Sequence, residues 1–407
     1  MKVFVVNCGS SSIKYQLFSM TNERVLAKGL LERVGGTDAC LHHTAVRRTN
    51  GQPVDKSIDQ TVNAPNHTEG LKLIIGALID GNHGVIDSID EIQAVGHRVV
   101  HGGEDITDST LVDDAVLEII RRNAELAPLH NPPNLAGIAG AMAAMPGKPN
   151  VAVFDTAFLA TLPPTAYRYA VPDEWYHEHH IRKYGFHGTS HQYVTLRTAE
   201  LLGKKPEEVF LITAHLGNGC SITAVAGGRA VDHSMGMTPL EGLMMGTRSG
   251  DLDPAVVFYM IEHGLSPRQV DNILNKKSGL LGVSGLSNDM RDLLAAAESG
   301  NKKAELAVEM FVYRIVKYIG AYSAVLPQLD AVVLTGGIGE NSLPVRRKLC
   351  QRLARLGAVA DEGRNAATVR GKAGPITADG AALPVWVVPT NEELMIARDT
   401  RRIVEGR

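Results

Sequence analysis

The chain opens with the stretch Val3-Phe4-Val5-Val6-Asn7-Cys8-Gly9-Ser10-Ser11-Ser12-Ile13-Lys14-Tyr15-Gln16-Leu17-Phe18. The apolar run 3–6 predicts a strand, and the alternation of apolar and polar residues over 13–17 predicts a second one. The small polar residues 7–12 predict a tight turn that points backbone N–H groups and hydroxyls at one place, where Lys14 adds a positive charge. The stretch indicates a hairpin that either cradles phosphate or is only a turn, and alone it leaves both interpretations open.

The same pattern returns near the middle of the chain. An apolar strand is predicted at 209–216 and a partner strand at 221–225, with the small polar residues 217–219 between them. A third strand follows each hairpin, at 24–29 and at 229–232. Repetition of one unit at half the chain length indicates an internal duplication, and we expect two similar domains whose hairpins face one cleft.

The remaining pattern alternates between strands and helices, which is typical of the α/β class. Further strands are predicted at 94–103 (running into a glycine-rich loop), 150–155, 331–341 (running into a glycine-rich turn and a helix start) and 385–389. Helices are predicted at 68–79, 113–125, 135–145, 254–262, 267–274, 290–294, 304–325 and 391–402. Residues 162–184 are rich in Pro, Tyr and His, and we expect an irregular lid or domain boundary there.

Composition narrows the class of protein. The chain has 407 residues, of which 44% are hydrophobic and 21% charged, and its net charge is −3. These values fit two or three globular domains and give no basic stripe for nucleic acid. The basic cluster Arg346-Arg347-Lys348 with Arg352 and Arg355 is interpreted as the solvated face of a helix.

The cysteines and the apolar runs indicate where the protein works. Four cysteines lie far apart in the sequence, at Cys8, Cys40, Cys220 and Cys350. This spacing argues against disulfides and against a zinc knuckle, so we expect a reducing compartment. Neither a signal peptide nor a membrane-spanning run is predicted, and we expect a soluble cytoplasmic protein.

Nine motifs run nearly from end to end of the chain. They are Asn7-Cys8-Gly9-Ser10-Ser11-Ser12-Ile13-Lys14, Gly96-His97-Arg98-Val99-Val100-His101-Gly102-Gly103, Leu129-His130-Asn131-Pro132-Pro133, Phe154-Asp155-Thr156-Ala157-Phe158, Gly185-Phe186-His187-Gly188-Thr189-Ser190-His191, His215-Leu216-Gly217-Asn218-Gly219, Gly246-Thr247-Arg248-Ser249-Gly250-Asp251, Gly336-Gly337-Ile338-Gly339-Glu340-Asn341 and Thr390-Asn391-Glu392-Glu393. In this order they resemble the acetokinase family of the sugar kinase, Hsp70 and actin superfamily. The resemblance implies two duplicated ribonuclease H-like (actin-like ATPase) domains around an interdomain cleft. It places an N-terminal domain at 1–157 with 392–407, whose C-terminal helix packs back, and a nucleotide-binding domain at 158–391.

The family implies an acetate kinase, which transfers phosphoryl reversibly between ATP and acetate by in-line attack of the acetate carboxylate on the γ-phosphate. It also implies Mg²⁺, with Mn²⁺ as a substitute, and a homodimer without nucleic acid or membrane partners. The chemistry agrees, because a carboxylate is already ionised at pH about 7 and needs little deprotonation. The site must mainly hold two anions together and neutralise the transferring group, a task that suits arginine.

The resemblance assigns catalytic roles to four residues. Arg98 binds substrate, Arg248 stabilises the transition state and His187 contacts the transferring phosphoryl. The family casts Asp155 as the acid/base residue, whereas on chemical grounds we expect it to orient Mg²⁺-bound water or the nucleophile. A zinc site at His187 and His191 is the competing interpretation of that motif, but no third ligand accompanies the pair.

The metal and the nucleotide are assigned in the same way. The resemblance gives Mg²⁺ to Asn7 and Glu392, at opposite ends of the chain, although Glu392 is also explained as an acid at a helix N-terminus. It gives the nucleotide to Lys14, to His215, Leu216, Gly217, Asn218 and Gly219 for the phosphates, to Asp289, Met290 and Arg291 for the nucleoside, and to Gly337, Ile338, Gly339, Glu340 and Asn341 for the purine and ribose. Neither a P-loop motif nor GxGxxG after a strand occurs in the sequence.

The resemblance places four apolar residues around the acetate methyl group, where they would limit the size of the substrate. They are Val100, Leu129, Phe186 and Pro239. Because one methylene is worth only about 1–3 kcal/mol in such a pocket, we expect propionate to be a poorer but accepted substrate. One departure from the family is Leu159, where a histidine is usual, so any hydrogen bond at that position is lost.

Two alternatives stay open. The chain could prefer propionate or butyrate, or it could be a non-catalytic actin-like nucleotide-binding protein. The joint presence of Arg98, Asp155, His187 and Arg248 argues against the second alternative, because ATP binding alone needs none of the carboxylate-side residues.

Overall fold

The computed structural model describes residues 1–46, 48–49, 52–53 and 55–406. The chain divides into two compact units. Unit 1 comprises Met1–Ala157 and Asn391–Arg407, and unit 2 comprises Phe158–Thr390. Arg407, the last residue of the N-terminal domain predicted from sequence, lies outside the described residues.

The strands and helices are numbered here in chain order. The strands are β1 Lys2–Cys8, β2 Ser12–Ser19, β3 Arg24–Glu32, β4 Gly36–Ala45, β5 Arg48–Thr49, β6 Gln52–Pro53, β7 Lys56–Ala64, β8 Ala94–Val99, β9 Thr110–Leu111, β10 Asn150–Phe154, β11 Phe210–Leu216, β12 Cys220–Ala226, β13 Arg229–His233, β14 Ala331–Thr335, β15 Gly374–Pro375 and β16 Val385–Val387. The α-helices are α1 His67–Ile79, α2 Asp114–Arg122, α3 Asn131–Ala144, α4 Pro164–Tyr167, α5 Asp173–His179, α6 Gly188–Leu202, α7 Ala255–Glu262, α8 Pro267–Lys276, α9 Gly279–Ser284, α10 Met290–Glu298, α11 Lys302–Val325, α12 Gly336–Asn341, α13 Leu343–Arg352, α14 Glu362–Ala367 and α15 Glu392–Val404.

Unit 1 is built on a mixed sheet with the strand order β7-β4-β3-β2-β1-β8-β10-β9. Strand β1 pairs antiparallel with β2 and parallel with β8, and β8 pairs parallel with β10. Apolar side chains of β1 and β2, such as Phe4 and Ile13, form one core with Leu71 and Ile74 of α1. Helix α15 packs on β1, β8 and β10, and it approaches Gly96 so closely that a Cβ there would lie 2.8 Å from Ile396 Cγ2.

Unit 2 is built on a second mixed sheet with the order β13-β12-β11-β14-β16-β15. Strand β11 pairs antiparallel with β12 and parallel with β14, which pairs parallel with β16. The order β3-β2-β1-β8-β10 of unit 1 therefore returns as β13-β12-β11-β14-β16. The α/β class and the duplicated sheet predicted from the two hairpins are confirmed.

Several local boundaries differ from those predicted. Asn7 was predicted in the turn, but it belongs to strand β1 and pairs with Lys14. The turn begins only after Cys8 and is closed by the hydrogen bond from the Gly9 N–H to the Ser12 carbonyl at 2.8 Å. Helix α3 begins at Asn131, before the predicted residue 135. Pro132 and Pro133 occupy its first turn, where a missing N–H costs nothing.

Several helical regions were not predicted, among them the short helices α9 and α14. Residues 188–202 form α6, whose glycine- and threonine-containing sequence shows little helical periodicity. Helices α4 and α5 lie within the segment 162–184 that was expected to be irregular.

The interpretation of Arg346 as part of a solvated basic face is wrong. Its side chain is fully buried. The guanidinium donates to the carbonyls of Glu340, Asn365 and Thr368 and to Asn365 Oδ1, at 2.6–2.9 Å. These four oxygens replace water around the guanidinium charge, so the arginine can be buried. The sequence Arg346-Arg347-Lys348 alone does not indicate which of its side chains is buried. Arg347, the next residue, does lie on the surface and pairs with Glu362.

None of the helices in the described part of the chain is both long enough and apolar enough to cross a bilayer.

Candidate functional site

In unit 1, three polar residues stand at the carboxyl ends of neighbouring parallel strands. Asn7 lies near the end of β1, Arg98 near the end of β8, and Asp155 directly after β10. Adjacent parallel strands bring such ends to one edge of the sheet. The backbone N–H of Asp155 donates to the Val99 carbonyl at 2.9 Å, which fixes the two loops against each other.

Arg98 and Asp155 form a two-pronged ion pair. Arg98 Nη2 donates to Asp155 Oδ2 at 2.6 Å, and Arg98 Nε lies 3.2 and 3.1 Å from the two carboxylate oxygens. The Asp155 side chain is only 1% exposed, whereas that of Arg98 is 24% exposed. The charge of Asp155 raises the pKa of Arg98 above its usual range. The carboxylate therefore fixes one edge of the guanidinium, and Nη1 lies on the other side, 3.5 Å from Asn7 Oδ1.

Two acidic residues at the start of α15 complete this region of unit 1. Glu393 forms an ion pair with Lys14 of β2. Burial raises the pKa of Glu392 to about 7, while the positive charge of Arg98 acts in the opposite direction. A carboxylate held in this way is ionised more readily when a second cation approaches it.

The donors Asn7 and Glu392 fit a magnesium ion. Mg²⁺ prefers hard oxygen ligands, keeps several waters and uses few protein groups. An amide oxygen and a carboxylate, both beside Arg98, supply such oxygens. Among the residues that the structure describes, no group of three His, Cys, Asp or Glu side chains is placed to hold a metal.

Helix α3 braces the loop that follows Arg98. Asn134 accepts from the Val100 N–H at 3.1 Å and donates to the Cys8 carbonyl at 2.9 Å, which ties the ends of β8 and β1 together. Asn131 makes two bonds with the His101 backbone, at 3.2 and 3.0 Å. Of the two predicted pocket residues in this unit, Val100 is buried, whereas Leu129 is 67% exposed. The Leu129-to-Asn134 motif thus also has a structural role.

In unit 2, imidazoles and hydroxyls take the place of the carboxylates. His187 caps the N-terminus of α6 in the left-handed conformation, with φ 61°. Its Nδ1 lies 2.8 Å from Ser221 Oγ, and its ring stacks on His215 with centroids 4.4 Å apart. His215 Nδ1 lies 2.8 Å from Ser190 Oγ, which donates to Thr390 Oγ1 at 2.9 Å. The structure therefore brings His187 and His215 together on hydroxyl supports.

Arg248 approaches the same place from another loop. A Cβ built on Gly219 would lie 3.4 Å from His187 Nε2 and 3.5 Å from Arg248 Nη1. Glycine at the tip of the β11–β12 hairpin thus leaves a space that both donor groups border. Arg248 Nη1 lies 3.4 Å from the Pro239 carbonyl and 3.9 Å from Met245 Sδ. Burial lowers the pKa of Arg248 from its ordinary value.

No carboxylate of the described residues forms an ion pair with Arg248, in contrast to Arg98. Its loop is held by other groups. Asp251 Oδ1 accepts from the Gly242 N–H at 2.7 Å, and Asp251 Oδ2 accepts from the Tyr318 hydroxyl at 2.8 Å. The Gly246 N–H donates to the Asn218 carbonyl at 2.9 Å, which joins the loop to the hairpin. The arginine is positioned by its backbone and keeps its charge available to an anion.

A cavity of about 820 Å³ opens beside this hairpin within unit 2. Eight of the residues predicted for the nucleotide line it, namely Gly217, Asn218, Asp289, Met290, Arg291, Gly337, Ile338 and Asn341. Asp289 caps α10 and holds the Arg291 guanidinium through both carboxylate oxygens, at 2.6–3.2 Å. The residues come together because α10 and α12 begin on the same side of the hairpin.

Glu340 faces the protein backbone. Its Oε1 accepts from Gly336 N–H at 3.0 Å, from Thr335 Oγ1 at 3.2 Å and from Thr390 N–H at 3.2 Å. Gly336 has φ 74° and lies against Leu216, where a side chain would meet the backbone at 2.8 Å. Glu340 therefore stabilises the start of α12, and it is not among the residues that line the cavity.

Leu159 occupies an apolar environment. It packs with Leu162 and Ala230, and a Cβ built on Gly185 would lie 2.5 Å from both Leu159 Cδ1 and His233 Cδ2. His233 Nε2 accepts from the Phe186 N–H at 3.2 Å. Leucine thus supports the turn before His187 by packing, without the hydrogen bond that a histidine would supply.

Several residues near the predicted site had not been singled out for it from the sequence. Asn288, Leu294, Ala295, Glu298, Ser342 and Pro344 line the cavity. Asn288 donates to Asn218 Oδ1 at 2.9 Å, and its position next to the predicted Asp289 was the available signal. Nothing local in the sequence indicates the contact of Ser221 with His187.

Comparison with known proteins agrees with these features. The model of the acetokinase family matches residues 2–398. The chain is 54% identical to an acetate kinase of Thermotoga petrophila over 409 aligned positions, covering 100% of this chain and 99% of that protein. It resembles the crystal structure of the Porphyromonas gingivalis acetate kinase with a TM-score of 0.91 and 46% identity, and that of a propionate kinase from Francisella tularensis with a TM-score of 0.89 and 39% identity, each covering 99% of both chains. The resemblance found in the sequence motifs is thereby confirmed, and the chain belongs to the acetokinase family.

Proposed function

We propose that this protein is an acetate kinase that transfers phosphoryl reversibly between ATP and acetate. The observation that carries the proposal is the family match over residues 2–398 together with 54% identity to an acetate kinase along the whole chain. In the forward reaction an acetate oxygen bonds to the γ-phosphorus. The bond from that phosphorus to the bridging oxygen breaks, and its electron pair leaves on the β-phosphate of ADP.

Unit 1 is proposed to supply the acetate side. Arg98 binds the acetate carboxylate through the part of its guanidinium that Asp155 does not hold. Both oxygens of Asp155 accept hydrogen bonds from Arg98, which supports a positioning role more than proton transfer. Asp155 then orients the nucleophile by orienting Arg98. Acetate needs little deprotonation at neutral pH, so the reaction does not require a general base.

Unit 2 is proposed to supply the phosphoryl and nucleotide side. Arg248 and His187 border the space at Gly219, and both can donate to equatorial oxygens of the transferring phosphoryl as charge spreads over them. The nucleoside enters the cavity of about 820 Å³ between the hairpin, α10 and α12. Lys14 contributes a further positive charge from the first hairpin.

Asn7 and Glu392 are proposed to hold Mg²⁺, with Mn²⁺ as a substitute. When bound, the ion neutralises part of the nucleotide phosphate charge. Arg98 lies beside both residues and is held by Asp155.

Propionate is the second candidate substrate, because the similar Francisella protein is a propionate kinase. We propose acetate as the preferred substrate, with Val100, Leu129, Phe186 and Pro239 around the methyl group. Val100 and Phe186 are buried side chains, at 4% and 3% exposure. An extra methylene costs about 1–3 kcal/mol in a closed apolar pocket.

One assay separates the alternatives. Purified protein is incubated with ATP, Mg²⁺ and acetate, propionate or butyrate, and the acyl phosphate is trapped as its hydroxamate. We expect acetate to give the highest kcat/KM, propionate a lower value and butyrate the lowest. Equal values for acetate and butyrate would contradict the proposed pocket. ATP binding without any acyl phosphate would establish the non-catalytic alternative.

A homodimer is also proposed, through helix α7. Its sequence AVVFYMIE is apolar over seven of eight positions, yet none of its residues is buried. Val256, Phe258 and Tyr259 are 45%, 65% and 57% exposed. An exposed apolar helix indicates an interface with another protein chain. Because most soluble oligomers are symmetric homo-oligomers, we propose that the partner is a second copy of this chain.

Light scattering after size exclusion tests the dimer. We expect the wild type to have twice the chain mass, 2 × 43.7 kDa, and Phe258→Glu to be a monomer. Leu111→Glu, at an exposed leucine of unit 1, should leave the mass unchanged. A monomeric wild type would refute the proposal.

A further inference from the structure

Ser221 lies between two histidines and bonds both. It belongs to β12 and is fully buried. Its Oγ lies 2.8 Å from His187 Nδ1 and 2.8 Å from His191 Nε2. The second histidine is buried on α6, four residues after the first, and its Nδ1 lies 2.7 Å from Thr213 Oγ1. The atoms thus form a continuous chain from Thr213 through His191 and Ser221 to His187.

The number of protons limits how this chain can be arranged. A serine hydroxyl has one proton to donate, so Ser221 donates to at most one of the two imidazoles. A neutral imidazole carries one N–H, and the other nitrogen accepts. Burial lowers the pKa of His191 well below its ordinary value, so this ring is neutral. Three arrangements satisfy these limits: His191 donates to Ser221 and Ser221 donates to His187, the direction is reversed throughout, or both imidazoles donate to the two lone pairs of Ser221 Oγ.

The opposite edge of His187 selects among these arrangements. His187 Nε2 borders the space at Gly219 that Arg248 Nη1 also borders. Phosphoryl oxygens accept hydrogen bonds and donate none, so Nε2 must carry the proton if it contacts them. Nδ1 then accepts, which requires Ser221 to donate to it. The stacked His215 and the Arg248 cation face the same ring and disfavour a second positive charge there.

We propose that Ser221, supported by His191, is a positioning residue that holds His187 as the neutral Nε2–H tautomer, ready to donate to the transferring phosphoryl. His191 Nδ1 accepts from the Thr213 hydroxyl, and its Nε2–H donates to Ser221. The tautomer of a histidine is set by the hydrogen bond of its other nitrogen. This assignment of the His187 tautomer rests on the proposed phosphoryl transfer at one point, the choice of the direction in which the hydrogen bonds run along the chain.

The first test reads the tautomer directly in the wild-type protein without ligands. Histidine labelled with ¹⁵N gives distinct ring-nitrogen signals for the two tautomers, and the His187→Ala spectrum assigns the signals of His187. We expect protonated Nε2 and unprotonated Nδ1 for His187. Protonated Nδ1 would overturn the proposal, whether or not the protein proves to be an acetate kinase. If the expected tautomer appears but no acyl phosphate forms, the positioning stands and the proposed function fails.

The second test removes the hydroxyl. We expect Ser221→Ala to lower kcat about 10-fold with KM for ATP and acetate within about 2-fold of wild type, because the donor is lost mainly where charge develops. Ser221→Thr, which keeps the hydroxyl, should recover most of kcat. In the background of His187→Ala, the change Ser221→Ala should have no further effect on kcat, because the two residues act as one unit.

A matched control separates positioning from packing. Thr195 is another buried hydroxyl on α6, and its Oγ1 has no hydrogen-bond partner among the described residues. Thr195→Val should keep kcat within about 2-fold, as expected for a hydroxyl that bonds nothing. An unchanged kcat in folded Ser221→Ala would overturn the proposal. If that variant does not fold, the wild-type tautomer decides alone.

Discussion

The two hairpins β1–β2 and β11–β12 occupy the same position in two sheets of the same strand order, yet they hold different chemistry. In unit 1 the first hairpin meets charged side chains, since Lys14 pairs with Glu393 and Asn7 contacts Arg98. In unit 2 the second hairpin meets imidazoles, since Ser221 contacts His187 and His191. The same strand order therefore holds ion pairs in one unit and imidazoles in the other.

The arginines show most clearly what this difference does. Arg98 is fixed by the buried carboxylate of Asp155, so its charge is largely balanced before any substrate arrives. Arg248 is held by backbone and loop contacts, and its charge is not balanced by a carboxylate of the described residues. A balanced arginine is suited to orient a ground-state anion. An unbalanced one gains most when negative charge spreads in the transition state.

The largest effect is expected at the unbalanced arginine. Arg248→Ala should lower kcat about 10³- to 10⁵-fold, the range observed when arginines that stabilise transferring phosphoryl groups are removed. Its free energy of unfolding should change little, because no buried carboxylate loses its partner. Initial rates of acyl phosphate formation and urea unfolding measure the two quantities on the same preparation.

The surface residue Arg347, which pairs with Glu362, provides the matched control. Arg347→Ala should leave kcat unchanged and alter stability by less than about 1 kcal/mol. If Arg248→Ala kept more than about a tenth of the wild-type kcat, Arg248 would not stabilise the transition state, and the contrast between the arginines would fail.

The balanced arginine should behave in the opposite way. Arg98→Ala removes the cation that donates to both oxygens of the buried Asp155 carboxylate, so the free energy of unfolding should fall by about 3 kcal/mol, the lower end for such pairs because Arg98 is partly exposed. The double variant Arg98→Ala with Asp155→Ala should recover part of this loss, because no charge is then left buried. Urea unfolding of the two single variants and the double variant completes the cycle. If the double variant were no more stable than Arg98→Ala, the buried charge of Asp155 would not be the cause of the lost stability.

The sequence was informative wherever structure follows from neighbouring residues. The hairpins, the duplicated sheet and the class of fold were predicted because strand alternation and turn chemistry act over a few residues. Eight of the residues that line the cavity of unit 2 were predicted through the family resemblance. The start of α3 was predicted at 135 instead of Asn131, because proline disrupts a helix everywhere except its first turn, which Pro132 and Pro133 occupy.

Features that depend on distant contacts could not be predicted. Arg346 belongs to a basic run, and its burial depends on carbonyls contributed by Asn365 and Thr368 some twenty positions away. Ser221 meets His187 only because β12 and the start of α6 pack together. The balance of Arg98 by Asp155 joins residues 57 positions apart. Local periodicity contains no information on which of several polar side chains turns toward such partners.

The free energy of unfolding is expected to depend on pH through His97, a buried histidine of unit 1. Burial lowers the pKa of His97 to about 4 from 6.5, and Nε2 lies 2.8 Å from Asn150 Oδ1. Above pH 6.5 neither the folded nor the unfolded state binds the proton. As the pH falls from 6.5 to about 4, only the unfolded state binds the proton. The free energy of unfolding therefore decreases over this pH range, by at most about 3 kcal/mol.

His97→Gln removes this proton while keeping an amide that can donate to Asn150. Relative to wild type, the variant should lose less stability between pH about 7.5 and about 4.5. Urea midpoints at the two pH values measure the difference. His263→Gln, at an exposed histidine of unit 2, should leave the pH dependence as it is in the wild type. An equal loss in wild type and His97→Gln would show that His97 does not contribute.

The smallest effect on stability is expected at Lys14, and it tests whether the first hairpin has a function of its own. Lys14 is 54% exposed and pairs with Glu393, and such exposed pairs contribute less than about 1 kcal/mol. Lys14→Ala should therefore leave the unfolding midpoint nearly unchanged. If Lys14 meets the phosphates, kcat/KM for ATP should nevertheless fall about 10-fold, because a point charge on phosphate is lost. Lys28→Ala, an exposed lysine of the next strand β3, is the control and should change neither quantity. A Lys14→Ala variant that is destabilised but transfers phosphoryl at the wild-type rate at low temperature would reduce the first hairpin to a structural element, and would leave the chemistry of the phosphates entirely to the second.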